Sequence, residues 1–136
     1  MEAALEKMLR ALLAGSFEAV DEYVYEVEWE SGTGLLNAAF WLAVNRRFDV
    51  HSTLRTIQVY VSEAHHEYPN LDTSIAEVLI RAARGEEHLI DGLDPASALP
   101  VEMVLLHKLV VDERLSEAQF EDFIADSFRL AEQTAG

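Results

Sequence analysis

Between Arg10 and Arg46 the chain carries no basic residue, yet it holds Glu18, Asp21, Glu22, Glu26, Glu28 and Glu30. Carboxylates crowded this closely repel one another, so they must be solvated, protonated or paired with a cation. On a helix, Glu18, Glu22, Glu26 and Glu30 are successive i,i+4 neighbours, and each exposed like-charge pair costs roughly 0.2–0.5 kcal/mol. Tyr25 and Trp29 share that spacing and border the stripe. The chemistry this arrangement suits is capture of a lysine or arginine, by charge pairing and by contact with a ring face. The expected partner-binding set is therefore Glu18, Glu22, Tyr25, Glu26, Trp29 and Glu30, facing a basic protein partner. The competing account is a solvated helix face with Trp29 turned inward.

A second constellation is Glu63-Ala64-His65-His66-Glu67. Glu63 and His66 have Glu-x-x-His spacing, which brings a carboxylate and an imidazole to one helical face. Di-metal carboxylate bundles use two such motifs plus two further glutamates. Here there is one motif, so Glu63 and His66 form a metal-ligand alternative rather than a site, and no cofactor is expected. His65, Glu67 and Tyr68-Pro69 also read as an ordinary polar helix end, where histidines complement the helix dipole. His-Glu-x-x-His and calcium-loop spacings are absent. His107 sits in the apolar run Val104-Leu105-Leu106-His107-Lys108-Leu109, which suggests a hydrogen-bonded histidine at the edge of the core. Arg46-Arg47, with Arg55, is a small basic spot suited to intramolecular salt bridges, an anion, or the acidic face of a second copy. Gly32-Thr33-Gly34 lacks the further glycine and the lysine of a phosphate loop.

Composition narrows the classes. The 136 residues suffice for one domain with a substantial core, half of them are hydrophobic, and the net charge is -15. A pI near 4.5 argues against nucleic acid and anionic membrane surfaces, both of which bind through basic groups. Without cysteine there is no disulfide, thiolate nucleophile or thiolate metal site. No apolar run approaches the roughly 20 residues of a membrane span, and the acidic start is unlike a secretory signal, so a cytoplasmic location is expected.

The elements that must position these groups read as all-α. Residues 2–14 repeat Leu5, Met8, Leu9, Leu12 and Leu13 on one face, with Glu6 and Arg10 spaced for an i,i+4 pair and Gly15 as terminator. Phe17, Val20, Val24 and Val27 give a second helical stripe. Residues 23–30 also alternate, with Tyr23, Tyr25, Val27 and Trp29 on one side, so a short β element there is the main structural alternative. Such a strand could offer its edge to a partner. Ser31-Gly32-Thr33-Gly34 reads as a turn, and Leu35 to Val44 as a central helix surrounded by others. Ser52 heads a helix to about Glu67, stopped by Pro69, and Asp72 heads another, ended by Gly85. Asp91-Gly92-Leu93-Asp94-Pro95 reads as a loop, with Pro100 in the first turn of a helix over Met103–Val111. Ser116 and Gln119 have capping-box spacing before a last helix. The expectation is one compact bundle-like domain over residues 1–136, of six or seven helices. Its expected function is a noncatalytic protein-binding or regulatory one, with self-association as a further possibility. A metal-dependent helical enzyme is the alternative.

Overall fold

Local chemistry at the joints sets most of the helix boundaries. The computed structural model describes residues 2–24 and 29–135, with side chains over 3–23 and 30–134. Helix α1 (Glu2–Leu13) ends where Gly15, at φ +81°, donates to the Leu12 carbonyl at 3.0 Å, while Ser16 donates to Ala11 at 2.8 Å. This pair of bonds satisfies carbonyls that a helix end otherwise leaves orphaned. Helix α2 (Phe17–Val24) follows directly, and α3 (Trp29–Arg47) comes next. The same paired closure, now around Gly85 at φ +118°, ends α5 (Thr73–Ala83). Asp72 caps the start of α5 by accepting from Ile75 N–H at 3.0 Å. The reciprocal Ser116–Gln119 capping box, at 2.9 and 3.2 Å, opens α7 (Glu117–Ala135).

Four assignments depart from the sequence reading. Ser31-Gly32-Thr33-Gly34 is not a turn but part of the first two turns of α3. Nucleating a helix is costly and extending one is cheap, so the strong formers beyond Gly34 carry the helix back through two glycines. Thr33 Oγ1 donates to the Glu30 carbonyl at 3.3 Å within that turn, and Gly32 is buried. Helix α4 (Leu54–Glu67) is headed by Thr53 in a capping box with Thr56, while Ser52 instead accepts from Asp49 N–H at 3.0 Å. Helix α6 (Pro95–Glu113) begins at Pro95 behind an Asp94 cap, so Pro100 lies inside it and not in its first turn. Pro100 and Ala96, whose carbonyl loses its i+4 donor, are both exposed, which leaves water to solvate that carbonyl. Part of the expected 91–95 loop belongs to a 3-10 helix over Glu87–Gly92.

The described residues thus form seven α-helices and one 3-10 helix, without a strand, and no helix among them is long and apolar enough to cross a membrane. Of the 23–30 segment, Tyr23–Val24 and Trp29–Glu30 are helical, and residues 25–28 lie outside the described residues. One apolar cluster draws on all seven α-helices, with Leu9, Leu12, Val44, Ala64, Ile80, Leu105, Leu106 and Phe123 among its innermost members. Ion pairs fasten its outside. Arg10 donates to both oxygens of Glu121 at 2.7 and 2.8 Å, joining α1 to α7. Arg46 reaches Glu113 at 2.6 Å, joining α3 to α6.

Gly15 and Gly34 make opposite demands. A Cβ at Gly34 meets nothing within 4 Å, so Gly34→Ala should stabilise the protein by about 0.5–1 kcal/mol through helix propensity. At Gly15 a Cβ would lie 2.9 Å from the His107 ring, on top of the left-handed backbone, so Gly15→Ala should cost about 1–3 kcal/mol. Denaturant midpoints at unchanged m-value measure both. A Gly34→Ala protein less stable than the parent would contradict a helical 31–34 segment.

Candidate functional site

Glu18, Asp21 and Glu22 are exposed on α2, and Glu30 is exposed in the first turn of α3. None of the four belongs to an ion pair or side-chain hydrogen bond among the described residues. Their partners in the predicted set fare differently: Tyr25 and Glu26 lie outside the described residues, as does the Trp29 side chain. What the structure describes of this surface is its exposed carboxylates and not its aromatic side chains.

Glu63 and His66 are both exposed on α4, and no group of three or more His, Asp or Glu side chains among the described residues converges to hold a metal. Neighbouring His65 turns Nδ1 to the Leu71 carbonyl at 3.1 Å, which makes that nitrogen the protonated one. His107 behaves as its apolar setting suggests, with Nδ1 2.9 Å from the Leu13 carbonyl and its ring edge-on to Phe17 at 5.6 Å. The basic spot divides. Arg46 is paired to Glu113, Arg47 lies over the Tyr60 ring at 5.1 Å, and Arg55 is exposed.

The feature the sequence reading missed is a cavity of about 480 Å³ between α3, α5, the 3-10 helix and α6. Helical spacing builds its walls: Thr33, Asn37, Phe40 and Trp41 line one side from α3, while Pro95, Ala98, Leu99 and Glu102 line another from α6. Trp41 and Ile90 are 48% and 46% exposed at this site, so α3 is not enclosed all round as its apolar run suggested. Asn45 fixes the α3–α5 wall, donating to the Trp41 carbonyl at 2.9 Å and to Ala83 at 3.1 Å while accepting from Arg84.

Glu102 is the chemical centre of this cavity. It is only 8% exposed, and burial pushes its carboxyl up to about 7. The Asn37 amide, turned with nitrogen toward Glu102, donates at 2.8 and 3.1 Å to its two oxygens and favours the charged form. The opposite turn would set oxygen against oxygen. Among the described lining residues the only other titratable group is Glu87, also an acid. The signal for this site was a lone acid within Val101-Glu102-Met103-Val104, in a helix whose neighbours are apolar.

Lys108, one turn and a half further along α6, is the second charge overlooked. Its ammonium meets Glu67 at 2.9 Å and Asp112 at 3.0 Å, and lies over the Tyr60 ring at 5.3 Å. Desolvation opposes its charge, but the hydrogen bonds it donates to Glu67 and Asp112 outweigh it and hold the pKa above the ordinary lysine value. Burial and then the Asp112 carboxylate push the Tyr60 hydroxyl well above its usual range, so it donates to Asp112 at 3.2 Å as a neutral phenol. This network ties α4 to α6 rather than presenting a reactive group.

Comparison with protein-family models, with curated proteins and with solved structures gives no match.

Glu102 makes stability depend on pH with a fixed sign. Its folded pKa of about 7 exceeds its ordinary 4.5, so its favourable contribution is complete below 4.5 and is lost as pH rises through 7. The loss amounts to at most about 3 kcal/mol, less whatever Asn37 returns by favouring the charged form. Glu102→Gln should remove this loss, so the variant's stability advantage over the parent should grow between pH 4.5 and pH 8. Urea titrations of both proteins across that window test it, and a pH-independent difference would rule out a carboxyl titrating near 7.

Proposed function

We propose that the chain is a noncatalytic protein-binding or regulatory domain whose acidic surface, on α2 and the start of α3, docks a basic partner. One observation carries the reading: Glu18, Asp21, Glu22 and Glu30 are exposed and meet no cation among the described residues. Elsewhere the chain pairs its carboxylates at helix joints, as at Arg10–Glu121, Arg46–Glu113 and Lys108–Glu67. Charge left uncompensated on one surface raises the local concentration of cationic groups and accelerates encounter with a positive face. The metal-dependent alternative rests on the Glu63–His66 spacing alone, and no observation favours it.

Neutralising the surface should weaken capture without unfolding the domain, because exposed substitutions usually shift stability by no more than about 0.5 kcal/mol. The Glu18→Gln, Glu22→Gln, Glu30→Gln triple variant and the parent would each capture partners from native cell extract at low and high salt, with mass measurement of what is retained. The parent should retain a basic protein at low salt, release it at high salt, and lose roughly tenfold or more in affinity on substitution. A complex indifferent to both salt and substitution would overturn the docking surface.

A further inference from the structure

The cavity between α3, α5 and α6 has an apolar wall and a polar floor of one sign. Phe40, Leu79 and Leu99 supply apolar lining, while Glu102 is the buried polar group on it. Among the described lining residues both titratable groups, Glu102 and Glu87, are acids, and none is a lysine, arginine or histidine. A carboxylate offers about four acceptor positions, and the single Asn37 nitrogen that serves its oxygens leaves capacity for further donors. A volume near 480 Å³ lies in the range of small-molecule sites, which are mostly apolar with a few placed polar groups.

We propose that this cavity binds a small amphiphilic amine in its ammonium form. The apolar body lies against Phe40, Leu79 and Leu99, and the ammonium donates to Glu102. Charge complementarity selects this occupant: a carboxylate ligand would face two acids with no cation, and an uncharged one would leave the buried carboxyl without a counter-ion. Trp41, half-exposed at the lining, adds an indole, the ring type that best favours cations. The net charge of -15 further favours cationic ligands over anionic ones. This site is independent of the acidic surface on α2, and either can fail without the other.

Phenethylamine, phenethyl alcohol and phenylpropanoate share an apolar body and differ in head-group charge. Calorimetry on the full chain, with amide NMR shifts to locate binding, should show saturable binding of phenethylamine, with shifts at Asn37, Trp41, Leu99 and Glu102. The alcohol should bind roughly tenfold more weakly, and phenylpropanoate more weakly still. Glu102→Gln, which keeps size and shape, should lower amine affinity roughly tenfold while leaving the alcohol unchanged. Ala98→Leu, which narrows the cavity without altering charge, should weaken both. The Glu18→Gln, Glu22→Gln variant should bind the amine as the parent does. The proposal is overturned by any of three results: no saturable amine binding, an alcohol that binds as well as the amine, or undiminished amine affinity in Glu102→Gln. Shifts confined to α2 would count equally against it.

Discussion

A helix that packs its middle into the core must find partners for the polar groups it carries there, and α6 is that helix. Val101, Leu105, Leu106, Leu109 and Val110 are buried in the common core, and among them Glu102 and Lys108 are buried and His107 half-buried. Each is met by a different helix: Asn37 of α3, the Leu13 carbonyl at the end of α1, and Glu67 of α4. An unpaired polar group in such a place costs about 1–3 kcal/mol, more if charged. These contacts therefore fix the direction from which α1, α3 and α4 approach. The apolar surface supplies the drive to assemble, and the polar contacts narrow the ways of doing so.

The same economy of cations shapes the exterior. The chain has ten lysines and arginines against twenty-five acids, so pairing at helix joints leaves surplus carboxylates somewhere. Arg10, Arg46 and Lys108 each bridge two helices, and Arg81 closes the end of α5 on Glu86. The stretch from Glu18 to Glu30 lies in the part of the chain without a cation, and its described carboxylates stay in water. Surface potential and core architecture thus have one origin, which is the placement of a few positive groups at joints.

Much of the helical framework is legible in residue order because its causes are local. Gly15 and Gly85 end helices by adopting a left-handed backbone that other residues resist, and Asp72, Ser116 and Gln119 cap through side chains three residues away. The errors arise where local preference competes with something cooperative or distant. The turn chemistry of residues 31–34 yields to propagation of α3, and Pro100 is carried inside α6 because Asp94 and Pro95 already form a better start.

For the sites, residue order alone determined the acidic stretch, its lack of cations, the absence of thiol chemistry and the pairing distance of Glu63 and His66. Those properties depend only on what is present and how far apart it stands along the chain. Tertiary structure decided which isolated charges matter. Glu102 and Lys108 look alike in sequence, each a single charge in an apolar helix. One faces Asn37 and a cavity, the other two carboxylates and a tyrosine ring. Asp112 is an i,i+4 neighbour that α6 itself supplies, but Asn37, Glu67 and Tyr60 come from 41 to 65 positions away on α3 and α4, and no periodicity within α6 encodes them. Burial and partnership are properties of packed helices, so the chemistry that depends on them became readable only after folding.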